Sequence, residues 1–142
     1  MPITKGYQQL VGEAMAQVKT YTVDETRARL SDPKTQLVDI RDIREMQAEG
    51  TVPGAFQAPR GMLEFWVDPA SPYHKPLFAD EDKEYLLFCG AGWRSALAAK
   101  TLRDMGMTNV AHMGEGWAGW VKAGGPTETL DEQKARRAKP KA

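Results

Sequence analysis

The residues best suited to chemistry lie in one heptapeptide, Cys89-Gly90-Ala91-Gly92-Trp93-Arg94-Ser95, which contains the chain's single cysteine. It follows the apolar run Tyr85-Leu86-Leu87-Phe88 and precedes an Ala/Leu-rich stretch, so it reads as the turn between a strand and a helix. In open α/β sheets ligands bind at that place, beyond the carboxyl end of a strand. Gly90 and Gly92 let the backbone curl until successive N–H groups point inward as an anion-binding nest. The start of the following helix adds its positive end and its unpaired N–H groups. A thiolate at Cys89 is stabilised by such surroundings and becomes a nucleophile. Arg94 brings a cation, and Ser95 is placed to cap the helix or to donate a hydrogen bond. The plainer reading is a small buried cysteine ending a strand. It accounts for the thiol but not for the glycines, the arginine and the helix start beside it.

Such a loop needs a sheet below it and helices to hold its ends. Lys83 to Phe88 is the clearest strand, Gln36 to Ile40 and Asn109 to Met113 read as two more, and Ala55 to Ala58 as a weak one. Tyr7, Leu10, Val11, Ala14, Met15 and Val18 recur at helical spacing. Thr22 and Glu25 form a capping box that opens a short helix ending near Leu30, before Ser31-Asp32-Pro33 breaks the chain. Further helices are expected over Arg44 to Glu49, stopped by Gly50, over Ser95 to Met105, and over Trp117 to Ala123. From Arg60 onward, apolar Met62, Leu63, Phe65 and Trp66 give way to a loop marked by Pro69, Pro72 and Pro76. Alternating strands and helices predict an α/β sandwich around a parallel sheet. Residues 1–21 are read as a helical extension, 22–126 as the domain, and 127–142 as a charged, solvated tail rather than a docking arm.

At 142 residues the chain has room for one domain with short extensions. Nineteen basic side chains balance nineteen acidic ones, which argues against a nucleic-acid binder. Leu, Ile, Val and Phe are sparse, but disorder also needs a high net charge, and seven Met and four Trp add apolar bulk. One cysteine rules out an intrachain disulfide, a C-x-x-C pair and a multi-cysteine zinc site. No apolar run approaches the ~20 residues of a membrane span, and the N-terminus lacks the apolar stretch of a signal peptide. The expected protein is cytoplasmic, with no metal, no cofactor and no membrane or nucleic-acid partner.

The loop fits the pattern C-x-x-G-x-[R/S/T]-[S/T], and in this the chain resembles the single-domain rhodanese family of sulfurtransferases. Leu37-Val38-Asp39-Ile40-Arg41 with Glu45 looks like the family's first signature, and Gly50-Thr51-Val52-Pro53-Gly54-Ala55 resembles its G-H-I-P-G-A turn. Gly116-x-x-x-Trp120 and Gly125-Pro126 match its closing segments. The resemblance spans roughly residues 22–126. It departs at Thr51, where the family has His, and at Glu115, where it has Gly. It implies a rhodanese-like sandwich and a two-step sulfur relay. The Cys89 thiolate takes sulfur from a donor such as thiosulfate, forms a persulfide ringed by loop amides, and passes the outer sulfur to a thiol or cyanide. A sulfur-relay protein is a further conceivable partner, and the state is monomer or homodimer.

Asp39 either supports the site, as the matching family residue does, or caps a turn. Arg41 and Glu45, spaced i, i+4, suggest a structural ion pair. Arg60 either meets an anionic donor or is a solvated loop arginine. Trp93 is expected to wall the pocket mouth, Trp117 and Trp120 to pack in the core, and His74 and His112 to stay out of the chemistry. Two rivals remain. Cysteine-based phosphatases and arsenate reductases use C-x5-R, five residues between Cys and Arg, whereas four separate Cys89 from Arg94. A non-enzymatic module that carries sulfur or docks partners is the other.

Overall fold

The computed structural model describes residues 1–138. Five parallel strands form one sheet: β1 Lys19–Tyr21, β2 Thr35–Asp39, β3 Phe56–Gln57, β4 Glu84–Phe88 and β5 Val110–Met113, in the order β1-β5-β4-β2-β3. Seven helices connect and cover them: α1 Tyr7–Gln17, α2 Val23–Arg27, α3 Ile43–Glu49, α4 Leu63–Val67, α5 Trp93–Asp104, α6 Gly116–Lys122 and α7 Leu130–Ala138. This is the expected parallel sheet flanked by helices. No helix among the described residues is long and apolar enough to cross a membrane.

Two cores result from the alternation of side chains along the strands. On one face Val38, Tyr85, Leu87, Cys89 and Val110 pack with Leu63 and Val67 of α4 and Ala98, Ala99 and Leu102 of α5. On the other, Leu37, Leu86, Phe88, Ala111 and Met113 pack with Val23 of α2 and Trp117 and Trp120 of α6. Central β4 is apolar on both faces, as a strand buried on both sides must be. It carries Cys89 one residue past its end. The Thr22 capping box forms at both ends, with Thr22 Oγ1 accepting from Glu25 N and Glu25 Oε1 from Thr22 N, each at 3.1 Å.

Three regions differ from the sequence expectation. Residues 1–21 end in β1, a three-residue edge strand registered on β5 through Thr20 and His112. Its pattern of two exposed residues before buried Tyr21 is too short to display an alternation. The apolar start of the Arg60 stretch forms a 3-10 turn, Arg60–Met62, and then α4, whose Leu63 and Val67 enter the core. The solvated tail is a correction. Glu128 pairs with Thr51 in an antiparallel bridge, Glu128 and Gln133 are buried, and Arg136 donates to Glu128 Oε1 at 2.7 Å. Gln133 Nε2 donates to the Ala55 carbonyl at 3.1 Å, so α7 is docked through polar contacts that a hydropathy reading counts as solvated. Lys139 and Lys141, counted in the same tail, lie outside the described residues.

Candidate active site

The strand-to-helix loop closes on the sulfur of Cys89. The backbone N–H groups of Gly92 and Ser95 donate to Sγ at 3.2 and 3.3 Å, and Ser95 Oγ lies 3.5 Å away. Gly92 makes the curl possible at φ +91°, and an added Cβ there would collide with the Gly114 carbonyl. Helix α5 begins at Trp93, two residues earlier than the spacing suggested, so Ser95 sits inside its first turn rather than at its cap. Two N–H groups turn the positive ends of their dipoles toward one sulfur. Cys89 as a whole is only 1% exposed.

The outer side of the loop is held by α6. Trp117 N donates to the Cys89 carbonyl at 2.7 Å and Ala118 N to the Gly90 carbonyl at 3.0 Å, so the first free N–H groups of α6 are satisfied by the loop. Gly116, at φ +64°, is needed for this approach because a Cβ would lie 2.6 Å from the Gly90 oxygen. Trp120 is buried and donates from Nε1 to the Pro126 carbonyl at 2.8 Å, while Gly125 lies against its indole. These contacts explain why Gly116, Trp120, Gly125 and Pro126 occur together. Glu115 has ordinary helical geometry and accepts from Val23 N at 3.2 Å, so the missing glycine costs nothing there.

Asp39 is fully buried on the opposite sheet face from Cys89. It accepts from Arg41 Nη2 at 2.8 Å and Nε at 3.1 Å, and from Thr51 Oγ1 at 2.7 Å. Thr51 thus serves the carboxylate directly. The expected Arg41–Glu45 ion pair is not formed, because Arg41 turns inward to Asp39 and to the Gly50 carbonyl at 2.7 Å. Glu45 pairs instead with Arg94 at 3.1 Å. Burial works against the Arg94 charge, but Glu45, with Cys89 and Asp39 nearby, outweighs it, so the guanidinium holds its proton more firmly than a free one. Arg41, Glu45, Glu49, Gly90, Arg94 and Trp117 line a cleft of about 330 Å³ beside the loop.

Arg60 is not brought to the loop by any hydrogen bond; its guanidinium is held by Glu64 at 2.6 Å and Thr101 at 3.5 Å. Trp93 is 55% exposed and packs on Tyr7 of α1 with ring centroids 5.1 Å apart, while Trp117 walls the cleft. His74 caps a loop through Trp66 O. His112 is the residue the sequence most undervalues: fully buried beneath the loop, it lies 2.9 Å from Ser95 Oγ through Nδ1. Burial pushes its pKa down to about 4, so the ring is neutral at pH 7. A histidine inside the apolar strand Val110-Ala111-His112-Met113 was the available signal.

Residues 22–123 match the rhodanese-like domain. Human thiosulfate:glutathione sulfurtransferase is 28% identical over 113 residues, covering 76% of this chain and 97% of that protein. A Rhodopseudomonas palustris protein described as a possible tyrosine phosphatase is 45% identical, with a TM-score of 0.87 and coverage of 90% and 98%. The polysulfide-sulfur transferase homodimer of Wolinella succinogenes is 28% identical, with a TM-score of 0.67 and coverage of 87% of each chain. With a family match over residues 22–123, the chain belongs to the rhodanese-like domain family.

Proposed function

We propose that the protein is a sulfurtransferase that works through a persulfide on Cys89. The observation that carries the reading is the pair of amides, Gly92 N and Ser95 N, aimed at one sulfur atom. The Cys89 thiolate attacks the sulfane sulfur of a donor such as thiosulfate. An S–S bond forms to Cys89 as the donor's own S–S bond breaks and sulfite leaves with its electron pair. A thiol or cyanide then attacks the outer sulfur, and the electron pair returns to Cys89. The first step moves the negative charge to the outer sulfur, and the second returns it to Cys89 Sγ, where the preorganised amides of Gly92 and Ser95 stabilise it. Gly90, Ala91, Gly92, Trp93, Arg94 and Ser95 form the active-site loop in this reading, and Arg94 meets the anionic donor when Glu45 releases it. Asp39 holds Arg41, which lines the cleft beside the loop, and Arg60 is engaged by Glu64 and Thr101.

The phosphatase reading has one specific support, the description of the Rhodopseudomonas palustris relative. Against it stands the short ring: four residues between Cys89 and Arg94 suit a single sulfur better than a tetrahedral oxyanion. Mass spectrometry after incubation with thiosulfate should show one extra sulfur atom that cyanide removes, and Cys89→Ser should carry none. Turnover of an aryl phosphate without sulfur uptake would reverse the assignment.

A further inference from the structure

Beneath α5 a chain of neutral groups leads away from the sulfur. Cys89 Sγ is 3.5 Å from Ser95 Oγ, which is 2.9 Å from His112 Nδ1; His112 Nε2 is 3.0 Å from Thr20 Oγ1. Cys89, Ser95 and His112 are buried, whereas Thr20 is exposed on edge strand β1. The register explains the line: Thr20 pairs with His112, and His112 with Leu87, two residues before Cys89 on the same face. Sulfur transfer as written above assigns His112 and Thr20 no task.

We propose that Ser95, His112 and Thr20 form a proton wire that carries the Cys89 thiol proton across the sheet to water at β1, with the imidazole changing tautomer and staying neutral. The proposal rests on Cys89 being the reacting nucleophile. In the thiol state S–H points to Ser95 Oγ, Ser95 O–H to Nδ1, and Nε2–H to Thr20 Oγ1. On ionisation each proton moves one place. Ser95 takes the thiol proton and gives its own to Nδ1, Nε2 passes its proton to Thr20, and Thr20 releases its hydroxyl proton to water. The sulfur keeps the electron pair of the broken S–H bond. All three donors then point the other way: Thr20 to Nε2, Nδ1–H to Ser95, and Ser95 O–H to the thiolate.

A wire of this kind suits the surroundings. Burial opposes a charged imidazolium, so His112 is a poor place for a proton to rest but a good place for one to pass. The charged groups around the loop are Arg94 on α5, Glu45 and Glu49 on α3, and the Asp39–Arg41 pair at the end of β2; Lys19 of edge strand β1 pairs with Glu84 of central β4. No hydrogen bond joins any of them to Cys89 Sγ or to the His112 ring among the described residues.

The test is a pH titration of the reduced protein with 15N-labelled histidine, which needs no sulfur donor and so stands or falls apart from the sulfurtransferase reading. The His112 ring should carry its proton on Nε2 while Cys89 is a thiol and on Nδ1 once it is a thiolate. Thr20→Val keeps the exposed shape but removes both hydroxyl roles, and should slow exchange of the His112 ring N–H proton with water about tenfold. Thr20→Ser should restore it, and melting curves should not move. A ring that keeps one tautomer, or becomes charged, as Cys89 ionises would overturn the wire. So would an unchanged ring-proton exchange rate in a folded Thr20→Val protein.

Discussion

The sheet carries a buried polar network on each face, and the two are built on opposite principles. On the α3 and α6 face Asp39 and Arg41 are charged, less than 2% exposed, and closed into a compact unit with Thr51 and the Gly50 carbonyl. On the α1 and α5 face Ser95, His112 and Thr20 form an open line of neutral groups that starts at the sulfur and ends in water. A charged unit resists rearrangement, because moving either partner leaves a buried charge uncompensated. A neutral line has two hydrogen-bond directions of similar energy and can change between them. The first fixes where β2 ends and where α3 and the Gly50–Ala55 turn begin. The second touches the Cys89 sulfur.

The contrast breaks most visibly at Asp39. Asp39→Asn leaves an acceptor for Thr51 but strips the charge from the partner of a buried guanidinium. Arg41 has little to fall back on: among the described residues Nη1 has no hydrogen-bond partner, and Glu49 Oε1 is 3.9 Å away. Breaking such a pair costs about 3–5 kcal/mol, so urea unfolding should show a loss of that order. Sulfur transfer per folded molecule should persist. A loss below about 1 kcal/mol would mean that water enters the network and that its rigidity is overstated.

The neutral network is exposed by acid instead. His112 ordinarily titrates at 6.5 but is held at about 4 in the fold. At pH 7 the ring is neutral in both states. As pH falls through 6.5 the unfolded chain takes up a proton that the folded chain refuses, so stability is lost from there down to about pH 4. The loss should reach about 2 kcal/mol at pH 5. Glu128 is affected by burial, which raises its affinity for a proton, but Arg136 and Gln133 outweigh that and lower it. Its contribution is therefore lost below the ordinary carboxylate range, outside the window from 6.5 to 5. Unfolding free energies at pH 7 and 5 should differ in the native protein and converge in His112→Gln. Equal slopes would show that His112 is hydrated or paired with an acid, and the two networks would no longer be opposites.

What the sequence displays about these networks follows from their range. The cysteine loop is local: strand, glycines and helix start are contiguous, and Gly92 and Ser95 reach the sulfur as a curled turn requires. Cores on both faces follow from the continuous apolar runs of β4 and β5. Partners that lie far apart in sequence are hidden. His112 meets Ser95 only because β5 is inserted beside β4, and Thr20 joins them because β1 sits outside β5. Spacing also misleads at Arg41 and Glu45, since i, i+4 describes neighbours on a helix and α3 starts only at Ile43. The docked α7 is concealed for another reason. Its buried contacts are Gln133 and the Glu128–Arg136 pair, residues that composition assigns to water.

The smallest effect tests where the two regions meet. Arg94 lies in the first turn of the helix that covers the neutral line, yet its side chain crosses the cleft to Glu45 on the other side. Both are partly exposed, and such a pair contributes about 0–1 kcal/mol, so Glu45→Gln should hardly move the melting temperature. Its effect should appear in binding. Removing the carboxylate takes one negative charge from beside the loop and frees Arg94 to face an incoming anion. At a few ångströms in a largely aqueous cleft one charge is worth about 1 kcal/mol, or about fivefold in affinity. The KM for thiosulfate should therefore fall about fivefold in Glu45→Gln and rise by a similar factor in Arg94→Ala, with kcat nearly unchanged in the first. If both variants instead raise KM, the ion pair itself shapes the donor site, and Arg94 works as a fixed wall rather than as a cation waiting for its anion.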